Sequence, residues 1–219
     1  MSETKTLQRS GDLFQELKRR IRAGKYAPGQ RLVEIDISEE FGVGRGRVRE
    51  VFRTLVGEGY LKFEENRGVL VRKYTREEIL QVGRTREVLE GLSARLVAER
   101  ALTQDEREAI EKSQAVMDDA ERAHNYSVFT AANKEYHQLL STLAGNVHVV
   151  EFLERLRIPL FRIQLPQSFV ADSIAHSNRD HHVITQAILM GNPDAAEAAM
   201  RTHVRAGNAH ISKLPDDLF

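Results

Sequence analysis

Apolar positions near the start of the chain recur at helical spacing. Leu13, Leu17 and Ile21 stand four apart, which predicts a helix over about 11–23. Lys25-Tyr-Ala-Pro-Gly29 reads as a turn. Ile37 and Phe41 then share one face of a short helix at about 34–41, which Gly42-Val-Gly44 breaks. A third helix runs from about Arg45 to Gly57, with Val48, Phe52 and Leu55 turned inward. The period next changes to two. Leu61 and Phe63, then Val69 and Val71, alternate with other residues on either side of a polar tip, Glu64-Glu-Asn-Arg67. That pattern predicts a β-hairpin. Three helices and a hairpin in so short a stretch make a winged helix-turn-helix layout.

Beyond Lys73–Thr75 the chain changes character. Glycine becomes rare until Gly145, and long amphipathic patterns take over. They predict helices at about 76–101, 104–123, 126–144, 147–164, 171–191 and 193–212, with Asn192-Pro193 between the last two. The fold class is therefore mainly α. A winged helix-turn-helix domain over residues 1–74 precedes an all-α antiparallel helical bundle over 75–219. Residues 215–219 read as a loose tail.

Charge adds a direction to this picture. Residues 1–74 hold 16 Lys and Arg against 11 Asp and Glu, and residues 75–219 hold 16 against 21. A basic first domain favours a polyanionic partner. The chain contains no cysteine, which excludes thiolate metal sites, disulfides and a cysteine nucleophile. No apolar run reaches the roughly 18–20 residues that span a bilayer, and the polar start MSETKTLQRSGD lacks a signal peptide's apolar stretch. A cytoplasmic protein with no membrane partner is expected.

The third helix carries the candidate DNA-reading residues. Arg45, Arg49 and Arg53 fall at i, i+4 and i+8 opposite the apolar face, and Arg47 flanks them. Arginine reads guanine O6 and N7 in the major groove and also pairs phosphates. The wing tip, Asn66-Arg67-Gly68, is placed to reach a minor groove or the backbone. The plainer alternative is a solvated face in which these arginines pair with Glu50 and Glu58.

Residues 10–72 also resemble the DNA-binding domain of the GntR family of bacterial regulators. The residues that carry the resemblance are Pro28-Gly29, Leu32, Glu34, Phe41-Gly-Val43, Arg45, Val48-Arg49-Glu50, Leu55, Glu58-Gly59 and Arg67-Gly68-Val69-Leu-Val71. The resemblance implies a homodimer on double-stranded DNA with a short palindromic operator, and Arg45 and Arg49 at bases. Two positions depart from the family. Gly44 stands where a Ser or Thr usually caps the recognition helix, and Arg47 stands where Pro is frequent. Gly still caps acceptably.

All eight histidines lie beyond residue 123. Asn133 and His137 are at i, i+4 on one helix, His181 lies on the next-to-last helix and His203 on the last. Three imidazoles and a carbonyl oxygen suit one divalent cation. Spacing alone does not choose His181 over His182, and a lone helical histidine is more often a surface or core residue. Residues 76–212 resemble the helical ligand-binding FCD domain of the FadR-type branch of the same family. Arg86-x-x-Leu89-Glu90, Asn133-x-x-Tyr136-His137 up to Gly145-Asn146, Asp180-His181-x-x-Ile184-x-x-Ala187-Ile188 and Met200-x-x-His203 carry it. The resemblance implies metal ligands at His137, His181 and His203, with Asn133 where the family commonly has Asp. It further implies a bound divalent ion, Zn²⁺ first with Ni²⁺ or Mn²⁺ as alternatives. A small organic acid would act as effector, its carboxylate meeting Arg86. Arg157 and Arg162 are further candidates with no motif behind them.

The function expected is a ligand-responsive transcription regulator acting as a repressor, and no enzyme. Two other classes compete. A metal-dependent hydrolase needs an acid or base beside the metal, and Glu135 points elsewhere on its helix. An architectural DNA-binding protein with a structural metal would show no effector response.

Overall fold

The computed structural model describes residues 10–156 and 167–216. Among them the chain forms two compact units, one ending at Thr75 and the other starting at Arg76.

The first unit begins with α1 (Ser10–Arg22), whose Leu13, Leu17 and Ile21 are fully buried. β1 (Arg31–Leu32) leads into α2 (Glu34–Phe41). Gly42 ends α2 in the left-handed region at φ 63°, where its N–H reaches the Ser38 carbonyl. A side chain rarely adopts that conformation, so glycine fits the stop. α3 (Arg45–Gly57) buries Val48, Val51, Phe52 and Leu55. β2 (Leu61–Glu64) and β3 (Gly68–Val71) form the hairpin. The sheet order is β1-β3-β2, all antiparallel, with Arg31 opposite Leu70 and Phe63 opposite Val69. β1 was not legible in the pattern, because two residues are too few to show an alternation.

The second unit is helical: α4 (Arg76–Glu99), α5 (Gln104–Arg122), α6 (Tyr126–Leu143), α7 (Val147–Arg155), α8 (Gln167–Leu189) and α9 (Pro193–Ser212). Thr103 and Glu106 form a reciprocal capping box on α5. Asn125, Asn146 and Asn192 cap α6, α7 and α9 with their side-chain oxygens, and Pro193 takes the first turn of α9. The core gathers Val97, Ile110, Met117, Phe129, Tyr136, Leu140, Ile184, Ile188 and Met200. α4 lies close along α9. A Cβ on Gly83 would fall 1.8 Å from Asn208 Oδ1, so the approach at that point requires glycine or a moved Asn208. The tail expected to be loose starts anchored. Arg76 donates to the Ser212 carbonyl at 2.6 Å, to the Leu214 carbonyl and to Asp216, and Leu214 is buried. The helix expected at 147–164 is described only as α7, and Arg157 and Arg162 lie outside the described residues. No helix among the described residues is long and apolar enough to cross a membrane.

Candidate functional site

α3 displays its arginines as the spacing predicts. Four buried side chains hold one face, while Arg45, Arg49 and Arg53 are exposed and Arg47 is half-buried. Gly44 precedes the helix in extended conformation with no side-chain cap, so no hydroxyl bonds the first turn there. Arg49 does not pair with Glu50 or Glu58. It forks onto Glu34 of α2, with Nε at 3.0 Å and Nη2 at 2.8 Å. Glu58 instead receives Lys18 at 2.6 Å. The Arg49 hydrogen bond holds the Glu34 carboxyl below its usual range, and the charges of Arg45 and Arg53 add to the effect. Glu34 thus sits in the field of the arginine stripe, a role its place in the sequence did not suggest. At the wing, Arg67 pairs with Glu64 at 2.7 Å, and Gly68 adopts φ 79°. Phe63 stands 70% exposed on the same hairpin.

In the second unit α6, α8 and α9 bring His137, His181 and His203 together. One ring nitrogen from each lies within 4.8 Å of the others. His181 Nε2 is 3.4 Å from His137 Nε2, and the His181 and His203 ring centroids are 4.4 Å apart. Phe129 and Tyr136 pack against the His181 ring. Burial, then the neighbouring His203 and His137, pushes the His181 pKa well down. Burial also lowers His203, outweighing the opposing pull of Asp180. Both rings are therefore neutral at ordinary pH, the form that ligates a metal. Asn133 sits one helical turn before His137, and its Oδ1 is buried with no hydrogen-bond partner. Nδ1 of His181 likewise has none. An orphaned carbonyl oxygen on the same helix face as a histidine cluster is an arrangement that a divalent cation would satisfy. Cation binding is thus chemically reasonable for these residues.

His182 belongs elsewhere. Its side chain is 56% exposed, and Nε2 meets Asp118 Oδ1 at 2.9 Å. It lines a cavity of about 590 Å³ with Asp118, Glu121, Asp172 and Asn178, and no member of the histidine triad borders that cavity.

Two carboxylates, Glu90 and Asp180, stand beside rings of the triad. Glu90, on α4, is 3% exposed. Its Oε1 accepts Arg86 Nε at 2.7 Å, and its Oε2 lies against His137 Nδ1. Burial raises the Glu90 pKa, but the Arg86 charge leads the interactions that outweigh it, and the net direction is down. Arg86 therefore forms the i,i+4 pair that its spacing allows, yet the pair reaches inward rather than lying in solvent. Asp180 Oδ2 is 3.4 Å from His203 Nδ1 and 3.7 Å from His176 Nε2. The signal for Glu90 was its i,i+4 spacing from Arg86. Nothing in the sequence showed that α4 would face α6 at this point.

Residues 9–71 match the family described as bacterial regulatory proteins, gntR family, and residues 78–206 match the FCD domain. The chain is 26% identical over 209 residues to the uncharacterized HTH-type transcriptional regulator YdhC of Bacillus subtilis, covering 93% of this chain and 91% of that one. It is 24% identical to the galactonate operon transcriptional repressor of Escherichia coli over 95% of this chain and 99% of the relative. It is 28% identical to a probable D-xylose utilization operon transcriptional repressor of Paenarthrobacter nicotinovorans, over 85% and 81% of the two chains. In fold it is similar to the crystal structure of a putative GntR transcriptional regulator from Rhodococcus sp. RHA1, with a TM-score of 0.74 at 24% identity, over 94% and 98% of the chains.

Proposed function

The chain belongs to the GntR family of bacterial regulators that carry an FCD domain, and from that premise we propose how its two units divide the work. The protein is a ligand-responsive DNA-binding transcription regulator, not an enzyme. As a homodimer it reads a palindromic operator in duplex DNA. Arg45, Arg49 and Arg53 of α3 enter the major groove, Arg47 meets phosphate, and Arg67 and Gly68 of the wing touch the neighbouring groove. The second unit holds one divalent ion through His137, His181 and His203, with Asn133 as a weak oxygen ligand. Nitrogen-rich donors with no thiolate suit Zn²⁺ first, then Ni²⁺ or Mn²⁺. His137, His181 and His203 would join α6, α8 and α9 through such an ion, which would supply a Lewis-acidic point for a carboxylate. A small organic acid is the effector, and Arg86, which pairs with Glu90 in the free chain, is the cation that meets its carboxylate. One relative is named for a galactonate operon, and galactonate is such an acid.

The observation that carries this reading is the convergence of three histidines from three helices beside the orphaned Asn133 oxygen. The test is fluorescence anisotropy on DNA from upstream of the protein's own gene. Organic acids are screened with and without added Zn²⁺. An effector should shift operator affinity by roughly 5–150-fold, the usual range of an allosteric coupling, and chelation should abolish the shift. Binding that no acid alters, with or without metal, would point instead to an architectural DNA-binding protein.

A further inference from the structure

Two of the three histidines turn Nδ1 to a carboxylate. A neutral imidazole carries one N–H, and the hydrogen bond made by one nitrogen decides which atom holds the proton. An ionised carboxylate only accepts. A carboxylate oxygen close to His137 Nδ1 favours the proton there and leaves Nε2, the atom that lies 3.4 Å from His181 Nε2, free to ligate. Glu90 Oε2 and His137 Nδ1 face each other with no other polar partner among the described residues, in a close contact rather than an aligned hydrogen bond. The carboxylate is costly to bury alone, and Arg86 offsets that cost at the opposite oxygen. The Arg86–Glu90 pair thus turns its negative end toward the histidines.

We propose that Glu90 is a positioning residue of the metal centre, fixing the tautomer and orientation of His137 and supplying from behind the ring the negative field that neutral Asn133 does not provide. The proposal rests on the metal reading above. Asp180 plays the same part for His203 more weakly, because its side chain is 22% exposed against 4% for Glu90, it stands at 3.4 Å, and it is shared with His176. Carboxylates behind ligating histidines raise their basicity and hold their rings in place.

Glu90→Gln separates this role from simple helix pairing. Arg86 is a pure donor and keeps the amide oxygen, so the amide NH₂ turns to His137 Nδ1 and donates. The proton of His137 then moves to Nε2, the nitrogen the ion needs. In the full-length protein, Zn²⁺ affinity measured against a chromophoric chelator should fall by roughly 10–100-fold, and Asp180→Asn should cost less. The second readout needs no metal. In ¹⁵N-histidine spectra of metal-free protein, assigned with His137→Gln, the His137 proton should sit on Nδ1 in wild type and on Nε2 in Glu90→Gln. Wild type that takes up no Zn²⁺ brings down the metal reading and this role with it. Wild type that binds Zn²⁺ no better than Glu90→Gln overturns the proposal alone. So does a metal-free wild type with its proton on Nε2, a result that stands even if the variant fails to fold.

Discussion

Arg49 with Glu34, and Glu90 with His137, are both pairs made between helices, yet they are built to opposite rules. The first is solvent-washed: the Arg49 side chain is 57% exposed and Glu34 31%. The second lies in the interior, with side-chain exposures of 4% and 12%. Exposed pairs contribute about 0.2–1 kcal/mol, whereas stripping one partner from a buried pair costs about 3–5 kcal/mol. A DNA phosphate or guanine edge can therefore take Arg49 from Glu34 at small cost. Nothing comparable loosens the histidine cluster. The arginine stripe keeps its charge exchangeable, and the histidine cluster keeps its polar groups buried around a point.

The largest effect should come from breaking one unit while sparing the other. The two cores share no residue, Phe52 belonging to the first and Ile110 to the second. Phe52→Ala removes a side chain that is 2% exposed, and should destabilise its unit by about 3–5 kcal/mol. Operator binding is then lost, while metal uptake by the second unit persists. Chemical unfolding followed by DNA binding and by metal content would show the split. Loss of both together would mean that the units fold as one.

Next in size is the metal itself. His181→Ala removes a buried imidazole of the proposed metal site and should weaken Zn²⁺ binding by more than the roughly 100-fold that bounds the loss of an outer partner. His182→Ala should change it little, since that ring faces Asp118. Effector-free operator binding should survive both changes. Equal loss in the two variants would dissolve the distinction between the triad and the cavity behind it.

The two regions also differ in how far the sequence revealed them. The arginine stripe lies on one helix, so a single period of 3.6 sets Arg45, Arg49 and Arg53 along one flank of the face that buries Val48, Val51, Phe52 and Leu55. The bounds of α2 and α3 follow from the same pattern and from the glycines that stop it. The triad draws on three helices, and no local period relates His137 to His181 or His203. Only the family resemblance could single out those residues, and it gave no carboxylate partner to any of the three rings. Glu90 was hidden for the same reason. Its spacing from Arg86 was visible, but which way the pair points depends on the packing of α4 against α6, and that is a tertiary fact. Glu34 was hidden because its partner is fifteen residues away on the next helix.

On the DNA face, Arg49→Ala should cost about 1–3 kcal/mol on a specific operator and much less on random duplex. Glu34→Gln supplies the opposite arm. It removes the carboxylate that occupies Arg49 in free protein, so operator affinity should hold or rise slightly. Anisotropy titrations at matched salt compare the two. A Glu34→Gln loss as large as that of Arg49→Ala would mean that the pair persists on DNA and orients the arginine there.

The smallest effect tests the exposed rule where no DNA is involved. Glu16 on α1 accepts Arg19 Nη2 at 2.6 Å and Arg20 Nε at 2.8 Å. The Arg19 hydrogen bond, against some burial and with help from Arg20, pulls its carboxyl down from 4.5 to about 2. A carboxyl lowered on folding stabilises the protein above its unfolded value. That stability drains away as pH falls from about 4.5 through about 2, because the native state must finally take up the proton. Arg19 is 61% exposed and water screens the pair, so the contribution should be about 0.2–1 kcal/mol. Urea unfolding of wild type and Glu16→Gln should therefore differ by that small amount near neutrality and converge toward pH 2. A gap that stays constant down to pH 2 would mean that the carboxyl acts through packing on α1 rather than through its charge.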